Sequence, residues 1–140
     1  MRRLPDWDAR LAAYLEPLRL REFAWGHHDC CTFAAGAVEA MTGVDPIPEF
    51  RGAYDDAIGA VQALRTIGQG TLSATLDTKF DRVAPALAQR GDLVMTSGLL
   101  GICWGSFAIA VGREGAREGL LRLNRTEWVD ARAWRVAYGS

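Results

Sequence analysis

The sequence predicts an α+β domain, N-terminal helices packed on a C-terminal antiparallel β-sheet. Three observations carry the layering. Apolar residues recur at helical spacing up to about residue 80, and short apolar runs separated by glycines take over from Arg90. Of the 140 residues 49% are apolar and 24% charged, which suffices for one core without disulfide staples, so residues 1–140 read as a single domain.

Trp7, Leu11, Tyr14, Leu15 and Leu18 form the first helical stripe, with Asp6 placed to cap it and Pro17 to end or kink it. The alanine-rich stretch 30–41 puts Phe33, Ala37, Val38 and Met41 on one face of a second helix. Asp29 stands at its N-cap and Gly43 at its stop. Asp45-Pro46-Ile47-Pro48 must be a loop, because each proline disfavours helix in the residue before it. Tyr54, Ala57, Ile58, Val61 and Leu64 predict a third helix closed by Gly68-Gln69-Gly70, and Thr71 opens a short fourth one with Leu72, Leu76 and Phe80. Strands are predicted over 92–95, 100–104, 107–111, 120–123 and 134–138.

Sixteen Lys plus Arg against seventeen Asp plus Glu leave a net charge of -1, without the diffuse positive field of a sequence-independent nucleic-acid binder. Met1-Arg2-Arg3-Leu4-Pro5-Asp6 lacks the apolar stretch of a signal peptide. The longest mainly apolar run, 99–112, is broken by glycines and a serine and falls short of the ~20 residues that span a bilayer, so no membrane insertion is predicted. Cys30, Cys31 and Cys103 are too few and too odd in number for a secreted disulfide scaffold, which points to a reduced environment during folding. The five tryptophans are expected to fill core, with one or two left as interface anchors.

Gly26-His27-His28-Asp29-Cys30-Cys31 holds both histidines and two of the three thiols. A thiol at a helix N-terminus is favoured as thiolate, which makes Cys30 the nucleophile candidate, with Asp29 beside it in a capping role. The competing reading is packing, since free cysteines are among the most buried residues, and Cys31 fits that reading better. His27 with Cys30, or His28 with Cys31, could face one ion. A four-ligand zinc site, however, would have only Cys103 left to draw on, and no metal or cofactor is predicted.

Phe23-Ala24-Trp25-Gly26, then Asp29-Cys30 opening a helix, then Gly91-Asp92-Leu93-Val94 ahead of Gly101-Ile102, resemble in order and separation the NlpC-type cell-wall peptidases, a family of papain-like cysteine hydrolases. The likeness spans about residues 7–138 and is nearest the branch associated with phage and gene-transfer-agent tails. It implies a papain-like NlpC-type fold and places Cys30 where the family's nucleophile attacks a peptide bond of peptidoglycan. The family's general base is the histidine of a His-Val-Gly-Ile segment, and the alignment puts Leu99 at that position, facing Cys30. No histidine follows residue 28. A missing acid–base partner typically costs 10² to 10⁴-fold in rate.

Two functions follow from the resemblance. The first is a catalytically degenerate, structural tail-tip component, assembled in the bacterial cytoplasm into the virion tail. It would contact neighbouring tail or hub proteins, with loop 46–54 and hairpin 113–125 as candidate edges. The second is an active cysteine hydrolase that cuts peptidoglycan peptides during genome delivery. There the catalytic set would be Cys30, His28 and Asp29, with His28 serving only as a rescue base.

Overall fold

The structure, a computed structural model, describes residues 1–114 and 117–139. Helix α1 (Trp7–Leu15) passes into a 3₁₀ turn at Glu16–Leu18, where Pro17 withdraws its N–H from the ladder. Asp6 does not cap α1 as expected. Its backbone is not in the extended conformation of a capping residue, and its carboxylate instead accepts from Arg10 Nε at 2.7 Å. Helix α2 (Cys30–Thr42) is capped by Asp29 and stopped by Gly43, whose φ of 80° is the left-handed conformation glycine tolerates.

Helix α3 (Ala57–Thr66) begins three residues later than the apolar stripe predicts. Asp56 is the N-cap, accepting from Gly59 N, which leaves Tyr54 outside the helix and buried. Ile58 and Val61 of the predicted stripe face solvent, while Ala63 is the residue α3 buries. Helix α4 (Leu72–Asp77) has Thr71 as its N-cap, the threonine side chain accepting from Ala74 N, but it ends before Phe80, which the predicted stripe included.

The sheet comprises β1 (Asp81–Val83), β2 (Leu93–Thr96), β3 (Leu99–Cys103), β4 (Phe107–Glu114), β5 (Arg117–Asn124) and β6 (Arg132–Arg135). The order is β1-β6-β2-β3-β4-β5 and every pairing is antiparallel. The C-terminal strand thus inserts between β1 and β2, with Trp134 opposite both Arg82 and Leu93. Side chains alternate across the sheet. Leu93, Leu100, Ile102 and Trp134 face the helices and pack with Leu11, Phe33, Val38 and Met41, all 2% exposed or less. On the opposite face Val94, Cys103, Ala108 and Ala133 are covered by a layer of loops and the short 3₁₀ turns Pro85–Leu87 and Arg125–Glu127 rather than by α-helix. Arg125 holds that layer, donating to the carbonyls of Pro85, Ala88 and Gly105 at 2.9–3.0 Å and stacking on Trp128.

None of the five tryptophans is exposed, and the most enclosed one, Trp134, donates its indole N–H to Asp77 at 2.9 Å. Of the candidate contact edges, loop 46–54 turns Ile47, Phe50 and Tyr54 inward and leaves Glu49, Arg51, Gly52 and Ala53 exposed. The 113–125 hairpin is formed by β4 and β5, and its tip, Gly115 and Ala116, lies outside the described residues. Among the described residues no helix is long and apolar enough to cross a membrane.

Candidate functional site

The Asp29-Cys30 junction is built by the turn that precedes α2. Ala24 and His28 pair backbone to backbone, at 2.9 and 2.7 Å, and the resulting tight loop sets Gly26 at φ 78°. A side chain there would also strike the carbonyl oxygen of Tyr54, 2.1 Å from where a Cβ would sit. Glycine is required on both counts.

Asp29 is 2% exposed and its carboxylate is fully engaged. Oδ1 accepts from Thr32 N at 2.8 Å and Thr32 Oγ1 at 3.1 Å, and Oδ2 accepts from Gly26 N at 2.9 Å and Tyr54 OH at 2.6 Å. The Asp29 N–H in turn donates to Thr32 Oγ1 at 2.9 Å, completing a reciprocal cap in which threonine takes the place usual for Glu or Gln. This carboxylate satisfies orphan N–H groups and a buried phenol. It has no lone pair left to orient an imidazole. Burial and the hydrogen bond to Asp29 together push the Tyr54 hydroxyl far up, so it stays a neutral donor.

Cys30 opens α2 as expected, partly buried, with its thiol near the N–H groups of Leu100, Cys31 and itself. The expected thiolate does not follow. Burial pushes the Cys30 pKa up and outweighs the pull of those three N–H groups, and the Asp29 charge adds to the upward shift. Cys31 turns the other way into the packing of Ile47, Phe50 and Tyr54, and burial pushes its thiol far up as well. Cys103 lies on the far face of the sheet.

Strand β3 does run past Cys30, but not with Leu99 facing it. Leu100 supplies the N–H beside the sulfur and packs with the helices, while Leu99 sends its methyls to Gly112 on the other face. His28 and His27 part company too. His27 is exposed over Gly52, whereas His28 is 2% exposed, edge-on to Phe33 at 6.4 Å, and its Nε2 has no partner among the described residues. Burial, followed by the Arg21 charge, lowers the His28 pKa. Among the described residues no three His, Cys, Asp or Glu side chains gather as a group that could hold a metal.

Two features of the site were not foreseen. Tyr54 keeps the spacing of the third helical stripe, although Asp56, three residues ahead of Gly59, is the capping signal that excludes it. Asp92 of the Gly91-Asp92 motif is wholly buried and bonds Arg3 at 2.9 Å, Arg135 at 2.9 Å and the N–H groups of Gln89 and Val136. It ties the N-terminal arm to the C-terminal strand.

Against known proteins, no curated protein and no solved structure matches the chain. One family model, described as a domain of unknown function and designated DUF6950, matches residues 2–136, and the chain therefore belongs to the DUF6950 family.

Proposed function

We propose that the domain is a catalytically silent relative of the NlpC-type cysteine peptidases and serves as a structural component of a phage or gene-transfer-agent tail tip. The observation that carries the silent half is where the imidazoles lie: His27 is exposed over Gly52 and His28 is buried edge-on to Phe33, while the Cys30 thiol packs against the main core. A cysteine hydrolase needs a thiolate and a positioned proton carrier, and Asp29, already saturated by four donors, cannot orient one. The relationship to the peptidases and the tail location are supported by the order of Trp25-Gly26, Asp29-Cys30 and Gly91-Asp92 along the chain. A papain-like fold agrees with a helix that opens on cysteine beside the start of β3.

The test has two arms. Purified protein is incubated with peptidoglycan sacculi and with stem peptides, and virions or gene-transfer particles from the producing strain are assayed for the chain by mass spectrometry. The expected result is no cleavage above that of Cys30→Ala and presence of the chain in particles. Turnover abolished by Cys30→Ala and His28→Ala, but kept by Cys31→Ala, would replace the silent reading with the hydrolase one. Absence from particles would overturn the tail location.

A further inference from the structure

A groove of about 490 Å³ runs between α1 and α2, apart from the Cys30 thiol. Its floor is apolar, formed by Phe33 and Ala40 with the ring of Tyr14, whose hydroxyl donates to the Phe33 carbonyl at 2.9 Å. Gly36 keeps the floor low, because a Cβ there would lie 2.2 Å from the Tyr14 hydroxyl. The walls are donors. Arg10, Arg21 and Arg51 line the groove, against one carboxylate, Glu39.

The hydrogen-bonding capacity of these walls is largely unspent. Arg10 engages Asp6 through Nε alone, and Arg51 engages Asp45 through Nε and one terminal nitrogen. Arg21 has no ion-pair partner among the described residues. His28, buried at the groove, adds an Nε2 without a partner. Buried polar atoms are normally satisfied, and a lone one beside a cavity marks a place where something else supplies the bond.

The shape selects among acceptors. The groove follows α2 from Thr32 to Gly43, a rise of about 16 Å at 1.5 Å per residue. An extended chain of about five residues covers that distance at roughly 3.3 Å each. We propose that this groove binds an extended acidic peptide segment, with carboxylates on Arg21 and the free nitrogens of Arg10 and Arg51, and one backbone group on His28 Nε2. The segment is one of a partner protein, recognised by charge and by its fit over the apolar floor. Guanidinium groups suit this task because their planar forks meet carboxylates with two bonds at once.

The test is a ¹⁵N-resolved NMR titration of the full chain with a capped Glu-Ala-Glu-Ala-Glu peptide, with a capped Lys-Ala-Lys-Ala-Lys peptide and with free glutamate. The expected result is shift changes confined to α1, α2 and loop 18–28 with the acidic peptide alone. Arg21→Ala should weaken binding at least about fivefold, and His28→Leu should weaken it too, while Arg65→Ala on α3 binds as the parent does. Arg21 and Arg65 are exposed, so both variants fold. No shifts with the acidic peptide, equal binding of the lysine peptide, or an unchanged affinity in Arg21→Ala would overturn the proposal. Free glutamate binding as tightly as the peptide would overturn the peptide as occupant and leave a small-carboxylate site.

Discussion

The hydroxyl of Tyr54 donates to Asp29 Oδ2 at 2.6 Å, joining the loop ahead of α3 to the residue that caps α2. Because both partners are buried, the bond fixes where the Asp29-Cys30 junction sits relative to the rest of the chain. It also takes the last free position on a carboxylate that could otherwise steer a proton carrier.

Removing that bond should be felt in stability rather than in chemistry. Tyr54→Phe should cost about 2 kcal/mol, the usual worth of a hydrogen bond to a charged group. Asp29→Ala should cost about 3 kcal/mol or more, since it removes the cap and leaves the Gly26 N–H and the Tyr54 hydroxyl buried without acceptors. Urea denaturation of the two variants checks both values.

The sequence is most readable where one physical signal decides the outcome. Asp29 and Gly43 bracket α2 as capping chemistry requires, and the glycine-punctuated runs after Arg90 became β2 to β5. Strand β1 was not visible, because Asp81-Arg82-Val83 offers one apolar residue and owes its pairing to β6, more than forty positions away. The third helix shows why periodicity alone misleads. Tyr54, Ile58 and Val61 keep the right spacing, yet Asp56 starts the helix late and the small Ala63 faces the core, leaving two large apolar residues outside. At the site the helix dipole suggested a thiolate at Cys30, while the opposing burial arises from strands far along the chain that no local pattern displays.

Arg3 and Asp92 form an ion pair with both side chains 0% exposed, and the Arg3 guanidinium also lies over the rings of Trp7 and Tyr138, at 4.3 and 4.1 Å. Asp92→Ala should therefore cost about 3–5 kcal/mol, because it strands a buried guanidinium. Arg3→Met with Asp92→Leu should cost less than the sum of the single changes. A double-mutant cycle by denaturant unfolding measures the difference.

Burial lowers the pKa of His28, so the unfolded chain binds this proton more readily than the folded one. Stability from this group is complete above the ordinary histidine value of about 6.5 and declines as pH falls through the folded-state value. Between about pH 7 and 5, unfolding free energy should drop with acidification, and the slope should be shallower in His28→Gln. Denaturation at a series of pH values compares the two slopes.

Gly36→Ala should displace the Tyr14 ring, since the new Cβ would meet its hydroxyl at 2.2 Å, and the bond from Tyr14 to the Phe33 carbonyl should be lost. A stability loss of about 1–3 kcal/mol is expected, as for other overpacked contacts. The phenol, held by burial at a pKa of about 12, should titrate closer to the ordinary value of about 10 in the variant. Ultraviolet titration of the tyrosines follows the change.

Cys30 is an unactivated thiol, and the direct measurement is its alkylation rate as a function of pH in a Cys31→Ala, Cys103→Ala background. The predicted rate climbs without a plateau until pH exceeds the ordinary thiol value of about 8.5, and His28→Gln leaves the profile unchanged. A plateau already reached at neutral or acidic pH, shifted by His28→Gln, would reveal a thiolate–imidazolium pair and a thiol activated for catalysis.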